Sequence, residues 1–459
     1  MGARRVQVLL CAVVLAAYLE APAATDTAHG RTTATPVEHI VVLMQENHSF
    51  DNYFGTYPGA DGIPARACMP FDPLSATPDC VKPFHLGDND VAIEDPVHSA
   101  SIHEVQLNHG LMNGFVNALD QRGQDGRLAM GYHDDRDIPY YWNLADEYVL
   151  FDRFFMSARG RSFPNHMYWV AAVYADERPG AGELTPIVTI FDRLHAAGID
   201  WKFYVQDYQP GVTYRTLIEF PNTYLEQVAS VPLLNFDRFV DDPELNGRIV
   251  DLEQYYVDLE NGTLPAVAYM VSTGPSEHPV GRVGAGERFV RSLIQALMQS
   301  DVWDSSAFMV TYDDWGGWYD HVLPPRVDEH GYGFRVPAFL VGPYARRGHI
   351  DSTTLDYTSI LRFIEDNWGL EPLSSRDRNA NSIASAFDFS SPSREAAFIG
   401  FDRTPPEGRP EPRRGVLYVS YSVALIVGLG AAVLAATGIR RGGELGPRPH
   451  RPRAPRTYG

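Results

Sequence analysis

Apolar residues recur along this chain in two rhythms. Short, largely β-branched or aromatic runs predict strands over Ile40–Met44, Trp201–Val205, Ala266–Val271, Ala307–Tyr312 and Val336–Val341. Helical spacing predicts helices over Ile190–Ala197, Gly286–Gln299 and Tyr357–Trp368; in the second, Phe289, Leu293, Ile294 and Leu297 share one face. Strands alternating with helices point to an α/β domain, with a mostly parallel central sheet and helices on both faces. The stretch from Asp61 to Pro139 breaks the rhythm. It is rich in Gly, Pro, Asp and His and reads as long loops over the strand ends, where functional side chains gather.

Two of the strands end in the same way. Ile40–Met44 runs into Gln45-Glu46-Asn47-His48, and Ala307–Tyr312 runs into Asp313-Asp314-Trp315-Gly316-Gly317. In open parallel sheets ligands bind just beyond the carboxyl ends of the strands. Two apolar strands that each deliver adjacent oxygen donors suggest one metal ion held between their tips.

The ends of the chain change the picture of where the domain works. Arg4 and Arg5, the apolar stretch Val6 to Tyr18 and the small residues around Ala23 and Ala24 read as a signal peptide over 1–24. Residues 416–439 carry no charge and are long enough to cross a bilayer, and Arg440 and Arg441 follow. Residues 390–415, rich in Pro, Arg, Glu and Ser, read as a stalk, although Ala396 to Phe401 is apolar enough to dock on the domain. The expected order is therefore signal 1–24, enzyme domain 25–389, stalk, transmembrane helix 416–439 and a basic cytoplasmic tail over 440–459. This makes a membrane-anchored protein with its large domain outside the cell. The formal charge of −20 disfavours nucleic acid as a partner. Of the three cysteines, Cys11 falls in the signal, and Cys68 and Cys80 are expected to form a disulfide.

Further polar groups complete a candidate site. In Gly160-Arg161-Ser162-Phe163-Pro164-Asn165-His166, Pro164 fits the first turn of a helix. Ser162, just ahead of it, reads either as an ordinary helix cap or as a hydroxyl aimed at an anionic phosphate. Histidines in loops after strands, His278, His321 and the upstream His98 or His103, can orient phosphate oxygens or protonate a leaving alkoxide.

These motifs together resemble those of the bacterial phosphoesterase family that contains non-haemolytic phospholipases C and an acid phosphatase. They are Glu46-Asn47-His48-Ser49-Phe50-Asp51 with Tyr53-Phe54-Gly55; Gly160-x-Ser162-x-Pro164-Asn165; Ser276-Glu277-His278-Pro279 with Gly286-Glu287; and Thr311-Tyr312-Asp313-Asp314 with Gly317 and Tyr319-Asp320-His321-Val322. The resemblance runs from about His39 to about Trp368 and implies an alkaline-phosphatase-like core. It implies that Glu46, Asn47, Asp313 and Asp314 bind one divalent metal, which Ser162 also approaches as nucleophile. Glu277 and His278 match the family's acidic-His pair, and His321 with an upstream histidine, His98 favoured over His103, contacts the phosphate. This chain departs at His166, where the family commonly has Arg, and at Asp314 or Trp315, where it often has His or Glu.

The expectation is a metal-dependent hydrolase of phosphoric esters that forms a phosphoserine intermediate. A phospholipase-C-like diesterase acting on a phosphate ester such as a phospholipid is favoured. An acid-phosphatase-type monoesterase and a non-catalytic surface binding protein are the alternatives. The oxygen-rich ligand set suits calcium, magnesium or manganese and also admits iron or zinc.

Overall fold

The computed structural model describes residues 33–403 apart from 76–78, 88, 161, 176–183, 185, 222, 224–225 and 273–276. Eight strands form one sheet: β1 (His39–Gln45), β2 (Val149–Phe151), β3 (Trp201–Val205), β4 (Ile249–Asp251), β5 (Val267–Val271), β6 (Ser306–Tyr312), β7 (Ala338–Val341) and β8 (His349–Asp351). Their spatial order is β8-β2-β7-β6-β1-β5-β3-β4. Only β7 runs against its neighbours; every other pairing in this sheet is parallel.

Alternation along the strands sends side chains to two helical layers. On one face, Phe203 of β3 and Tyr269 of β5 meet Trp169 of the helix Ser162–Ala171 and Phe191 of the helix Ile190–Ala196. On the other, Tyr204 meets Tyr255 of the helix Glu253–Asn261, whose hydroxyl donates to Leu293 O in the helix Val283–Met298. Residues of β1, β5 and β6 are almost all buried, as expected of strands covered on both sides.

The large central sheet fits the α/β layout expected from the sequence. Strands β2, β4 and β8 were not foreseen, because three residues leave no periodic trace. The stretch from Asp61 to Pro139 is not all loop: it contains the short helices Ala100–Leu107 and Phe115–Asp120.

The expected transmembrane helix, and the membrane-anchored location with it, is corrected. No helix among the described residues is long and apolar enough to cross a membrane. The longest, Val283–Met298, has 16 residues, a rise of about 24 Å against a hydrocarbon core of about 30 Å. Its apolar face is spent on the domain's own core. Residues 416–439 and the expected signal 1–24 lie outside the described residues.

The first part of the expected stalk runs along the domain surface. Trp303 Nε1 donates to Arg394 O at 3.0 Å, and Arg394 pairs with Glu147 at 2.8 Å. Asn143 donates to the carbonyls of Gly400 and Asp402, Arg291 lies over the Phe401 ring, and Arg403 pairs with Asp146.

Cys68 and Cys80 are disulfide-bonded, with Cα atoms 5.4 Å apart. Closing so short a loop should contribute about 2–3 kcal/mol. Reduction is expected to lower the denaturant midpoint accordingly, and alkylation should label neither sulfur before reduction. Two thiols labelled in the untreated protein would contradict the bond.

Candidate metal and phosphate site

Parallel pairing of β1 with β6 sets Gln45 beside Tyr312, so Glu46-Asn47 and Asp313-Asp314 leave the sheet side by side. The link continues one step beyond the strands, where Asp313 N donates to Gln45 O at 2.9 Å. On the other side of β1, Met44 lies beside Val271 at the end of β5, which leads towards Glu277-His278. Three neighbouring strands thus bring their polar ends to one place.

Glycines make the convergence possible. Gly316 has φ +60°, and a Cβ there would lie 2.1 Å from Asn47 O. Gly317, at φ +79°, gives the same freedom against Pro96 and Val97, which precede His98. Both conformations are costly for any other residue.

The helix Ser162–Ala171 closes the group from the side. It begins at Ser162 itself, and Pro164 lies in its first turn. Asn165 fixes the preceding turn by accepting from Ala158 N and donating to Gly160 O. Ser162 Oγ donates to Asp314 Oδ2 at 3.1 Å. One turn along, on the same helix face, His166 Nε2 lies 3.7 Å from Asp313 Oδ2.

The charges are crowded. Burial, then the carboxylates of Asp313, Glu226 and Asp314, hold the Glu46 carboxyl well above its usual range. Burial and Asp313 push Asp314 up to about 6. Burial likewise raises Glu226, with a further push from Asp313. Asn47 Oδ1, Asp313 Oδ2 and both ring nitrogens of His166 are buried without a hydrogen-bond partner. Orphaned donor atoms inside a nest of carboxylates are what a cation would satisfy. Donor atoms of Glu46, His166 and Asp313 lie within 4.8 Å of one another. The residues present therefore fit a divalent metal.

His98 belongs to this group. Its Nε2 faces Asn47 Nδ2 at 3.1 Å and its Nδ1 faces Pro96 O at 2.9 Å. Burial opposes its charge, but Asp314 and Asp95 outweigh burial and raise its pKa. The His278 ring lies 5.7 Å from that of His98. His103 is elsewhere: it is fully buried, stacked on Phe334 at 4.1 Å, and burial lowers its pKa.

Two expected phosphate contacts stand apart. Both His321 ring nitrogens face carboxylates, Nδ1 at 2.7 Å from Asp51 and Nε2 at 3.3 Å from Asp61. It is tied into a buried network in which Arg335 pairs with Asp51 and Asp320, each at 3.0 Å. Glu277 is walled in. Its carboxylate accepts from the hydroxyls of Tyr53 at 2.6 Å, Tyr312 at 2.5 Å and Tyr141, and from Gln45 Nε2 at 3.3 Å. A Cβ on Gly286 would strike its side chain, which accounts for the glycine in Gly286-Glu287. The next residue, Glu287, accepts from Tyr140 N at 2.7 Å, at the start of the helix Pro139–Glu147.

Sequence reasoning missed Glu226 and His166. Nothing in the sequence marked Glu226, but His166 was legible as the residue one helical turn after Ser162. Trp142, Trp315 and Trp318 are core residues, 4%, 0% and 0% exposed.

Residues 37–371 match the phosphoesterase family. Phospholipase C A of Mycobacterium tuberculosis is similar at 30% identity over 417 residues, covering 78% of each chain. Non-hemolytic phospholipase C of Burkholderia pseudomallei is 28% identical over 434 residues, which cover 78% of this chain and 60% of that protein, so this chain spans less than two thirds of its length. Among solved structures, a member of the alkaline phosphatase superfamily from Vibrio parahaemolyticus is similar at 12% identity over 77% of this chain and 72% of its own, with a TM-score of 0.36, too distant to argue from.

Burial pushes Glu277 up to about 7 from an ordinary 4.5. Between those values the unfolded chain loses a proton that the folded chain keeps. This group's contribution to stability is therefore full below about pH 4.5 and falls as pH rises to about 7. Glu277→Gln should flatten that part of the profile, read as urea midpoints at several pH values. Equal slopes in the two proteins would contradict it.

Proposed function

This chain belongs to the phosphoesterase family and is a hydrolase acting on phosphoester bonds, and we propose that it is a metal-dependent phosphodiesterase of phospholipase C type that works through Ser162. The observation that carries the proposal is the Ser162 hydroxyl, 3.1 Å from Asp314 Oδ2 and beside the crowded group of Glu46, Asn47 and Asp313. The names of the similar proteins support a phospholipid as substrate. The disulfide suits an oxidising compartment.

Glu46, Asn47, Asp313 and Asp314 would hold the metal. When bound, it supplies a Lewis acid that neutralises charge on the phosphate oxygens and favours ionisation of a nearby hydroxyl. Ser162 Oγ attacks phosphorus and passes its proton to Asp314. The bond from phosphorus to the leaving oxygen breaks, and the departing alcohol takes a proton from the His98–His278 pair. Water then attacks the phosphoserine and gives a proton back to that pair. The bond from phosphorus to Oγ breaks, and Asp314 returns the proton to Ser162. Glu277 does not touch substrate in this scheme. It holds Gln45 and Tyr312, the last residues of the two strands that present the ligands. His321 acts with Asp51 and Arg335 to hold the chain around the site.

Two measurements test the proposal. Ser162→Ala should lower turnover at least about a thousandfold, or roughly 4 kcal/mol of barrier, while most bound metal remains. Asp313→Ala should lose metal and activity together. Turnover and metal are determined on the same folded preparations, and retention of more than about a tenth of turnover by Ser162→Ala would reduce that serine to a hydrogen-bond partner of Asp314 and rule out the covalent mechanism. In a substrate panel, phosphatidylcholine should be cleaved faster than a simple phosphomonoester. The reverse order would favour the acid-phosphatase reading, and no turnover of either would favour a binding protein.

A further inference from the structure

His166 is 1% exposed, yet neither ring nitrogen has a hydrogen-bond partner. A neutral imidazole carries one donor and one acceptor, and burying both unmet is costly. Its apolar surroundings, such as the Trp169 ring at 5.9 Å, do nothing for those atoms. What lies close is carboxylate. Nε2 is 3.7 Å from Asp313 Oδ2, beyond hydrogen-bond distance, and donor atoms of His166, Glu46 and Asp313 fall within 4.8 Å of one another. Asp313 Oδ2 itself is unpartnered. Three buried groups thus leave donor atoms facing a common centre, and one of them is nitrogen.

We propose that His166 is a nitrogen ligand of the metal, which makes the site select a borderline transition ion such as zinc over calcium or magnesium. The proposal rests on the reading of Glu46, Asn47, Asp313 and Asp314 as metal ligands and deepens it. Imidazole suits transition ions, whereas calcium and magnesium take oxygen donors. The helix presents two functions in one face: Ser162 opposite Asp314, and His166 one turn later opposite Asp313. His166 therefore adds a nitrogen to the donor set without displacing the Ser162 hydroxyl from Asp314.

The rival role for His166 is a protonated counter-charge to Asp313. His166→Gln removes both the ligand nitrogen and the charge, and His166→Arg keeps the charge alone. The full chain is stripped of metal, then dialysed against equimolar zinc, manganese, calcium and magnesium. Bound metal is measured by mass spectrometry and affinity by chelator competition. Wild type should take up zinc in preference to calcium and magnesium. His166→Gln and His166→Arg should each weaken zinc binding at least about tenfold, or roughly 1.4 kcal/mol, with calcium binding little changed. The manganese-loaded wild type should show histidine-nitrogen coupling in its pulsed electron paramagnetic resonance spectrum, a readout that needs no variant to fold. Absence of that coupling, or unaltered zinc affinity in either variant, would overturn the role of His166. If Asp313→Ala loses metal while His166→Gln does not, His166 falls and the metal site stands. If the wild type binds no divalent ion, both fall together.

Discussion

The in-register pairing of His39–Gln45 with Ser306–Tyr312 places Glu46-Asn47 and Asp313-Asp314 at one end of the sheet, and the rest of the site is arranged around that fact. A slip of one residue would move one pair by about 3.3 Å and turn its side chains to the opposite face. The register is guarded twice. Buried apolar side chains on both faces penalise any slip, and the Glu277 carboxylate binds Gln45 and Tyr312 directly at the ends of the two strands. A buried carboxylate surrounded by phenols has few alternative arrangements of equal energy, because each donor left unmatched is costly. The same residue's carbonyl oxygen faces His48 Nε2 at 3.1 Å, so the turn after the first strand is held from the same point.

This rigidity opposes electrostatic repulsion. Glu46, Asp313 and Asp314 are buried together beside the half-buried Glu226, and burial first, then neighbouring carboxylates, raises the carboxyls of Glu46, Asp314 and Glu226. A cation binding the folded chain alone would relieve that repulsion and stabilise the fold by mass action. Farther out, the fully buried Arg335 between Asp51 and Asp320 neutralises a second acidic cluster without a metal. The protein thus meets buried negative charge in two ways. A guanidinium serves where the task is to hold chain segments together, and at the strand tips Asn47 Oδ1 and Asp313 Oδ2 are left without a partner.

Much of this was legible in the sequence. The five longer strands and the three strongly periodic helices were, because burial on one or both faces imposes a rhythm over many residues. So were the paired donors at two strand tips and the serine at a helix start. The choice between His98 and His103 needed three dimensions, since both lie in one polar stretch and only folding puts one beside Asn47 and the other beneath Phe334. Glu277 and His321 belong to the recognised motifs, yet their side chains point into tyrosines and aspartates. A motif records that a residue matters and leaves open which neighbour it serves. Arg335 and Glu226 stand in stretches with no pattern of their own, and their partners are distant in sequence.

Residues 390–403 carry a consequence for where this domain ends. The family match stops at 371, and composition alone would place the boundary near 389. Arg394 and Arg403 nevertheless pair with Glu147 and Asp146 on the helix Pro139–Glu147, whose first turn is tied to Glu287. A chain cut at either point would strip cations from half-buried carboxylates and uncover the surface beneath Phe401. The folding unit is therefore longer than the unit of kinship. Any excised version meant to behave as the whole does should run past Arg403.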